Sequence, residues 1–273
     1  MAGDAGRGAC DNPEERSQLV TWTGDYLYLL RQLVVKDFKI RYRNMSLGVF
    51  WSLLNPLVMI ALMSFVFTKI FKSTIPHFPI FLLCGLIPYN FFVASWLSAT
   101  TSMIDNAGLI KRVPLRREII PIASVLSNVI HLGIQMLMLL VMIVWAGISP
   151  NRQWLWLPLI WGLELVCLFG LGLATAAVNV MIRDMRYVVE SANLILFWLV
   201  PIFYSFDMVP QDYRELYAYN PVAALVLATR FVVLEALAPP TALLTKLTLV
   251  SFGLFFLGLW LFRKLKERFY AYL

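Results

Sequence analysis

Charge is scarce in this chain. Asp, Glu, Lys and Arg make up 14 % of its 273 residues, where a soluble domain carries about 25 %. Hydrophobic residues reach 60 %, so an ordinary soluble core is excluded. Cysteine is rarer still. Cys10, Cys84 and Cys167 lie far apart, which excludes a disulfide framework and a paired-cysteine zinc site. The two histidines, His77 and His131, fall in different segments and suggest no metal centre. No Gly-x-x-x-x-Gly-Lys-Ser/Thr loop occurs, so the chain carries no recognisable nucleotide site. Gly170-Leu-Gly172 lacks the third glycine and the strand–turn–helix setting of a dinucleotide fingerprint. The His-Glu-x-x-His and Gly-x-Ser-x-Gly signatures are missing too. So is the internal repeat of many secondary transporters.

What remains is long apolar runs. Six stretches, at 47–70, 79–103, 119–148, 154–182, 188–206 and 243–262, have the roughly 20 residues that a bilayer crossing needs. Placing both termini in the cytoplasm sorts the basic residues. Seven precede the first run, four lie between the second and third, two between the fourth and fifth, and four follow the sixth. Only Lys69, Lys72, Arg152, Arg214, Arg230 and Lys246 fall outside. This is the positive-inside pattern, and it reads the formal charge of +7 as topology rather than nucleic-acid binding. The expected class is an all-α integral membrane protein with six transmembrane helices. Residues 1–18 are polar, carry no signal-peptide pattern, and read as a disordered cytoplasmic tail. Residues 19–273 read as a single transmembrane domain.

Within that frame several segments stand out. Residues 25–43 place Tyr26, Leu30, Leu33, Val34 and Phe38 at helical spacing among basic residues, the pattern of an amphipathic helix at the membrane interface. Pro56 sits inside the first run, where it removes a helix bond. Tyr89, Phe92 and Trp96 share a face of the second. They form either an interfacial belt and ordinary packing or a surface on which sugar rings slide. Ser124, Asn128, His131 and Gln135 share a face of the third. Polar groups are costly in hydrocarbon, so this face is either interhelical glue or the lining of an aqueous path. Glu164 lies deep in the fourth run, and Gly170/Ala174 and Gly172/Ala176 give small-xxx-small spacing there. Residues 207–241 are too interrupted for a crossing. They read as two short helices, 210–219 and 222–237, that dip in from the outer face, with Asn220-Pro221 as the turn.

The ordered set of motifs resembles the membrane subunits of polysaccharide-exporting ABC transporters, the O-antigen, teichoic acid and capsule export family. The resemblance rests on the run from Arg41-Tyr42-Arg43 through Leu47-Gly48 and Trp51 to Asn55-Pro56. It continues in Asn106-Ala-Gly-Leu-Ile-Lys111-Arg112-Val-Pro114, Arg183-Asp184, Pro201-Ile-Phe-Tyr204 and Asn220-Pro221. It spans roughly residues 25–270. It implies a permease of the bacterial inner membrane that forms a homodimer, docks two copies of a separate ATPase subunit and exports a lipid-linked glycan. No cofactor would then be bound by this chain, and ATP and Mg would be used by the partner. Lys39, Arg41, Arg43, Asn106, Lys111 and Arg112 would meet the ATPase. Tyr204, Asn220, Pro221 and Arg230 would belong to the outer gate. Alternatives from the residues are a type-2 ABC permease for another lipid or drug, and a membrane-embedded glycosyl- or acyltransferase. The latter needs an acid/base pair that Glu164 alone does not supply.

Overall fold

The computed structural model describes residues 25–43, 46, 48–72, 75–113 and 115–272. The expected tail over 1–18 lies outside the described residues, as do Cys10, Leu47 and Pro114. Among the described residues the chain is all-α and runs through eleven helices. These are α1 (Tyr26–Tyr42), α2 (Trp51–Phe65), α3 (Phe78–Asp105), α4 (Ala107–Arg112), α5 (Ile119–Trp145), α6 (Leu157–Met181), α7 (Met185–Leu199), α8 (Gln211–Tyr219), α9 (Pro221–Val233), α10 (Thr241–Leu265) and α11 (Phe269–Tyr272).

Five of the described helical stretches are long and apolar enough to cross a bilayer: Leu53–Ile70, Phe78–Asp105, Ile119–Trp145, Arg152–Met181 and Thr241–Arg268. They coincide with five of the six expected spans. The exception is the expected span over 188–206. There α7 has 15 residues, a length of about 22 Å against a hydrocarbon core of about 30 Å. Pro201 explains the shortfall. It has no N–H to continue the helix and it disfavours helical geometry in the residue before it. Val200 is accordingly extended, with φ −77° and ψ 134°.

The spans are buried very unequally. In α3, 78 % of the most apolar stretch is enclosed, against 11 % in the span containing α2 and 17 % in that containing α10. Thus α3 is the axis of the bundle, flanked by α5, α6 and α9. Much of α2 and of the outer side of α10 is left for a bilayer or another chain to cover. Pro56 and Pro88 sit within α2 and α3, and both helices continue through them.

The small residues of α6 face two neighbours. A Cβ on Gly258 of α10 would lie 2.0 Å from the Gly170 carbonyl oxygen, and a Cβ on Gly170 would lie 2.4 Å from the Leu254 backbone. On another side a Cβ on Gly172 would lie 2.7 Å from the Ala99 Cβ of α3. Without side chains in the way, backbones approach closely and dispersion replaces the hydrophobic effect that lipid does not supply. The small-xxx-small spacing therefore marks a real crossing, with α10 as the partner of Gly170.

The segment before α10 forms α8 and α9, as the two short helices read from the sequence. The Asn220 side chain caps α9, accepting from the Val222 N–H at 3.0 Å and the Ala223 N–H at 3.4 Å. Pro221 occupies the first turn, where no N–H is needed. Of the 13 residues of α9, 11 are buried. A second, smaller core lies where the basic segments gather, with Leu33, Met103, Ile110, Phe262 and Phe269 among its members.

Candidate functional site

The polar face of α5 is met by α1. Ser124 Oγ donates to Asp37 Oδ2 at 3.0 Å. Arg41 Nη1 donates to Asn128 Oδ1 at 2.5 Å. The Tyr42 hydroxyl lies 2.6 Å from Nε2 of His131. Asn128 also donates to Ser98 Oγ of α3 at 2.9 Å, so it ties three helices together while fully buried. The two bonds that involve a charge, at Asp37 and Arg41, contribute about 1.5–3 kcal/mol each. Burial draws the Arg41 guanidinium below its ordinary value and Asp37 pushes it back up. The C-terminal half of the amphipathic helix therefore leans along α5 instead of lying apart from the bundle. Gln135, farther along the same face, is buried.

At the basic end, the residues expected to meet an ATPase divide into two sets. Lys39, Arg43, Lys111 and Arg112 are exposed. Arg41 and Asn106 turn inward. Asn106 accepts from Lys36 Nζ of α1 and donates to the Ser102 carbonyl of α3. The short helix α4, which carries Lys111 and Arg112, is thus braced against α1 and α3.

At the opposite end the break after α7 is held by one side chain. Arg230 of α9, 4 % exposed, donates from Nη1 to the Pro201 carbonyl at 2.5 Å and from Nη2 to the Ile202 carbonyl at 2.6 Å. Its guanidinium carbon lies 3.5 Å from the Phe81 ring centroid. A Cβ on Gly85 would stand 3.1 Å from Arg230 Nη2, so the glycine makes room for the cation. Tyr204 joins the same region through its hydroxyl, 3.1 Å from the Tyr217 hydroxyl of α8. Of the expected gate set, Arg230 and Tyr204 share the break, whereas Asn220 and Pro221 build the start of α9.

The aromatic face of α3 is packed in the single chain. The Tyr89 hydroxyl donates to the Asn193 carbonyl of α7 at 2.6 Å, and its ring lies 5.4 Å from Phe197. Phe92 is 1 % exposed and meets Trp96 edge-on at 5.6 Å. Trp96 itself is half-buried. Glu164 is fully buried in α6, and neither carboxylate oxygen has a hydrogen-bond partner among the described residues.

An open cavity of about 400 Å³ lies between α1, α3 and α7, with Arg41 and Arg186 in its walls. Arg186, Ser98, Thr101 and Asp105 of this cavity are not among the residues expected from the sequence. The available signal was the spacing of Ser98, Thr101 and Asp105, which puts three polar groups on one face of α3.

A bundle of apolar helices long enough to cross a bilayer, with polar ladders at one end and a helical break at the other, is the framework of a multi-pass membrane protein. Residues 28–234 match the ABC-2 type transporter family model, and the chain belongs to that family of transport permeases. Two relatives from Klebsiella pneumoniae, both named O-antigen export system permease protein RfbA, are 30 % and 31 % identical over 246 residues. Each alignment covers 89 % of this chain and 95 % of the relative. Polysialic acid transport protein KpsM from Escherichia coli is 24 % identical over 86 % of this chain and 92 % of its own length.

Proposed function

We propose that this chain is the permease of an ABC exporter that moves a lipid-linked polysaccharide of O-antigen or teichoic acid type across the bacterial inner membrane. It acts as a homodimer, and two copies of a separate ATPase subunit supply the energy from ATP and Mg. The observation that carries the reading is the almost end-to-end match to permeases named for O-antigen export, 89 % of this chain against 95 % of the relative.

Both termini face the cytoplasm in this reading, as the basic residues direct. The sixth crossing is completed by α7 together with residues 200–206. The helices α8 and α9 dip in from the outer side, with Arg230, Tyr204, Asn220 and Pro221 around the exit. Lys39, Arg43, Lys111 and Arg112 meet the ATPase, and Arg41 and Asn106 brace the helices that carry them. The path follows α3, bordered by Tyr89, Phe92 and Trp96. Asn128, His131 and Gln135 become accessible along it as the bundle opens.

The test is complementation in the source bacterium. Deleting the gene should remove the surface glycan and leave the lipid-linked polymer inside the cell. Restoring this chain beside its ATPase should return the glycan to the surface. Unchanged surface glycan in the deletion strain rejects the proposal.

A further inference from the structure

At the basic end the chain leaves α10 through one tight turn, Lys266–Arg268, and then forms the short helix α11. The start of α5 grips that turn. Arg117 Nη1 donates to the Lys266 carbonyl at 2.9 Å, and Lys266 Nζ reaches back to Glu118 Oε1 at 3.7 Å. The first contact has a physical reason. The last carbonyls of a helix lack donors within it and carry partial negative charge, so a cation there both satisfies and complements them. The Arg117 guanidinium also stands over the Phe269 ring, 5.9 Å from its centroid. Phe269 turns inward, is fully buried and meets Phe262 edge-on at 5.3 Å.

Phe269 thereby completes the smaller core, which it shares with Leu33 of α1, Met103 of α3, Ile110 of α4 and Leu115 of the connection from α4 to α5. Ile110 is the buried residue of α4, and the adjacent Lys111 and Arg112 are exposed. A helix of six residues has fewer than two turns and does not hold itself together in isolation. Its position is therefore set by what it rests on. The connection that follows it is held on two sides. Arg116 lies over the Tyr26 ring of α1 at 5.4 Å, while Arg117 and Glu118 hold the turn after α10.

We propose that Phe269 and Arg117 are positioning residues for α4. The turn after α10 closes the core that Ile110 shares, and so fixes the height and direction at which Lys111 and Arg112 are presented. That these two cations dock the ATPase rests on the export reading above. The clamp itself does not.

The experiment is hydrogen–deuterium exchange on the purified full chain in detergent. Phe269→Ala should speed exchange of the amides over 107–112 about tenfold or more, because it opens a cavity in the shared core. Phe269→Leu refills most of that space and should stay within about threefold of the native rate. Arg117→Lys keeps the charge that topology uses but loses the fork, so its rate should be intermediate. Tyr272→Ala, exposed on the same α11, should change nothing. The amides over 82–87, at the far end of α3, are the internal reference and should be unaffected throughout. Unchanged exchange over 107–112 in Phe269→Ala overturns the clamp. Equal acceleration over 82–87 marks general destabilisation and overturns it too, as does a Tyr272→Ala variant that matches Phe269→Ala. The second readout is affinity for the purified ATPase subunit of the same export system. It should fall about tenfold in Phe269→Ala, a loss on the scale of one good contact, and return in Phe269→Leu. Native affinity in a Phe269→Ala chain whose α4 has loosened overturns the positioning role. If the native chain binds no ATPase while exchange follows the expected pattern, the clamp stands and the export reading fails.

Discussion

Arg230 ties α9 to the break after α7 and to the Phe81 ring of α3. A charge at membrane depth is expensive unless paired or wet. Here two carbonyls accept from it where the chain leaves the helix at Val200. Replacing Arg230 with Met keeps much of the volume and strands the Pro201 and Ile202 carbonyls. Each buried unsatisfied group costs about 1–3 kcal/mol. The expected outcome is a clearly lower melting temperature in detergent, with Arg230→Lys intermediate because an ammonium lacks the planar fork. An unchanged melt for Arg230→Met rejects the pinning role. In the sequence, Arg230 was visible as an anomaly, a base in an apolar run on the wrong side of the positive-inside count. Its acceptors were not visible. Backbone carbonyls become available only where a helix breaks, and Pro201 marks that break 29 residues away.

Helix pairing shows a similar division. The spacing of Gly170 and Ala174 told that α6 has a face suited to close approach, and the polar stripe of α5 told that this helix needs partners. Neither said which helix answers. The partners, Gly258 for Gly170 and Asp37, Arg41 and Tyr42 for the stripe, are settled by tertiary packing. The crossing at Gly258 is testable by contrast with Gly253 on the same helix, where an added Cβ meets nothing within 4 Å. Gly258→Ala should destabilise by about 1–3 kcal/mol through overpacking. Gly253→Ala should be neutral or stabilising by about 0.5–1 kcal/mol. Thermal unfolding of the two variants in the same detergent compares them directly, and equal melts reject the close crossing. For α4, the exposed pair Lys111 and Arg112 gives a second test. Reversing both charges to Glu should abolish transport-coupled ATP hydrolysis in the reconstituted complex while leaving insertion and orientation intact. Normal coupling in that variant rejects the contact.

For the whole molecule, the all-α class and five of the crossings were legible because each rests on a local property, a long apolar run. The count of six was not settled the same way. Whether α7 crosses depends on residues 200–206, where the helix has ended and length no longer decides. Labelling from outside the cell separates the possibilities. In chains whose native cysteines are replaced by serine, six crossings predict that a cysteine at Gln211 reacts with an impermeant maleimide and one at Glu267 does not. Five crossings predict the reverse pattern, and both positions are exposed in the bundle.

The ladder between α1 and α5 also has a consequence for how the protein is made. Arg41 is translated 87 residues before its acceptor Asn128. At about 5–20 residues per second that interval lasts about 4–17 s. During it the Arg41 guanidinium and the Tyr42 phenol lack their α5 partners and stay in water or among headgroups, where such groups are solvated, while Asp37 already has Lys36 beside it. Biogenesis thus has a built-in order. Helix α1 is made first and docks late, and the bundle closes around Asn128 only when the third crossing arrives.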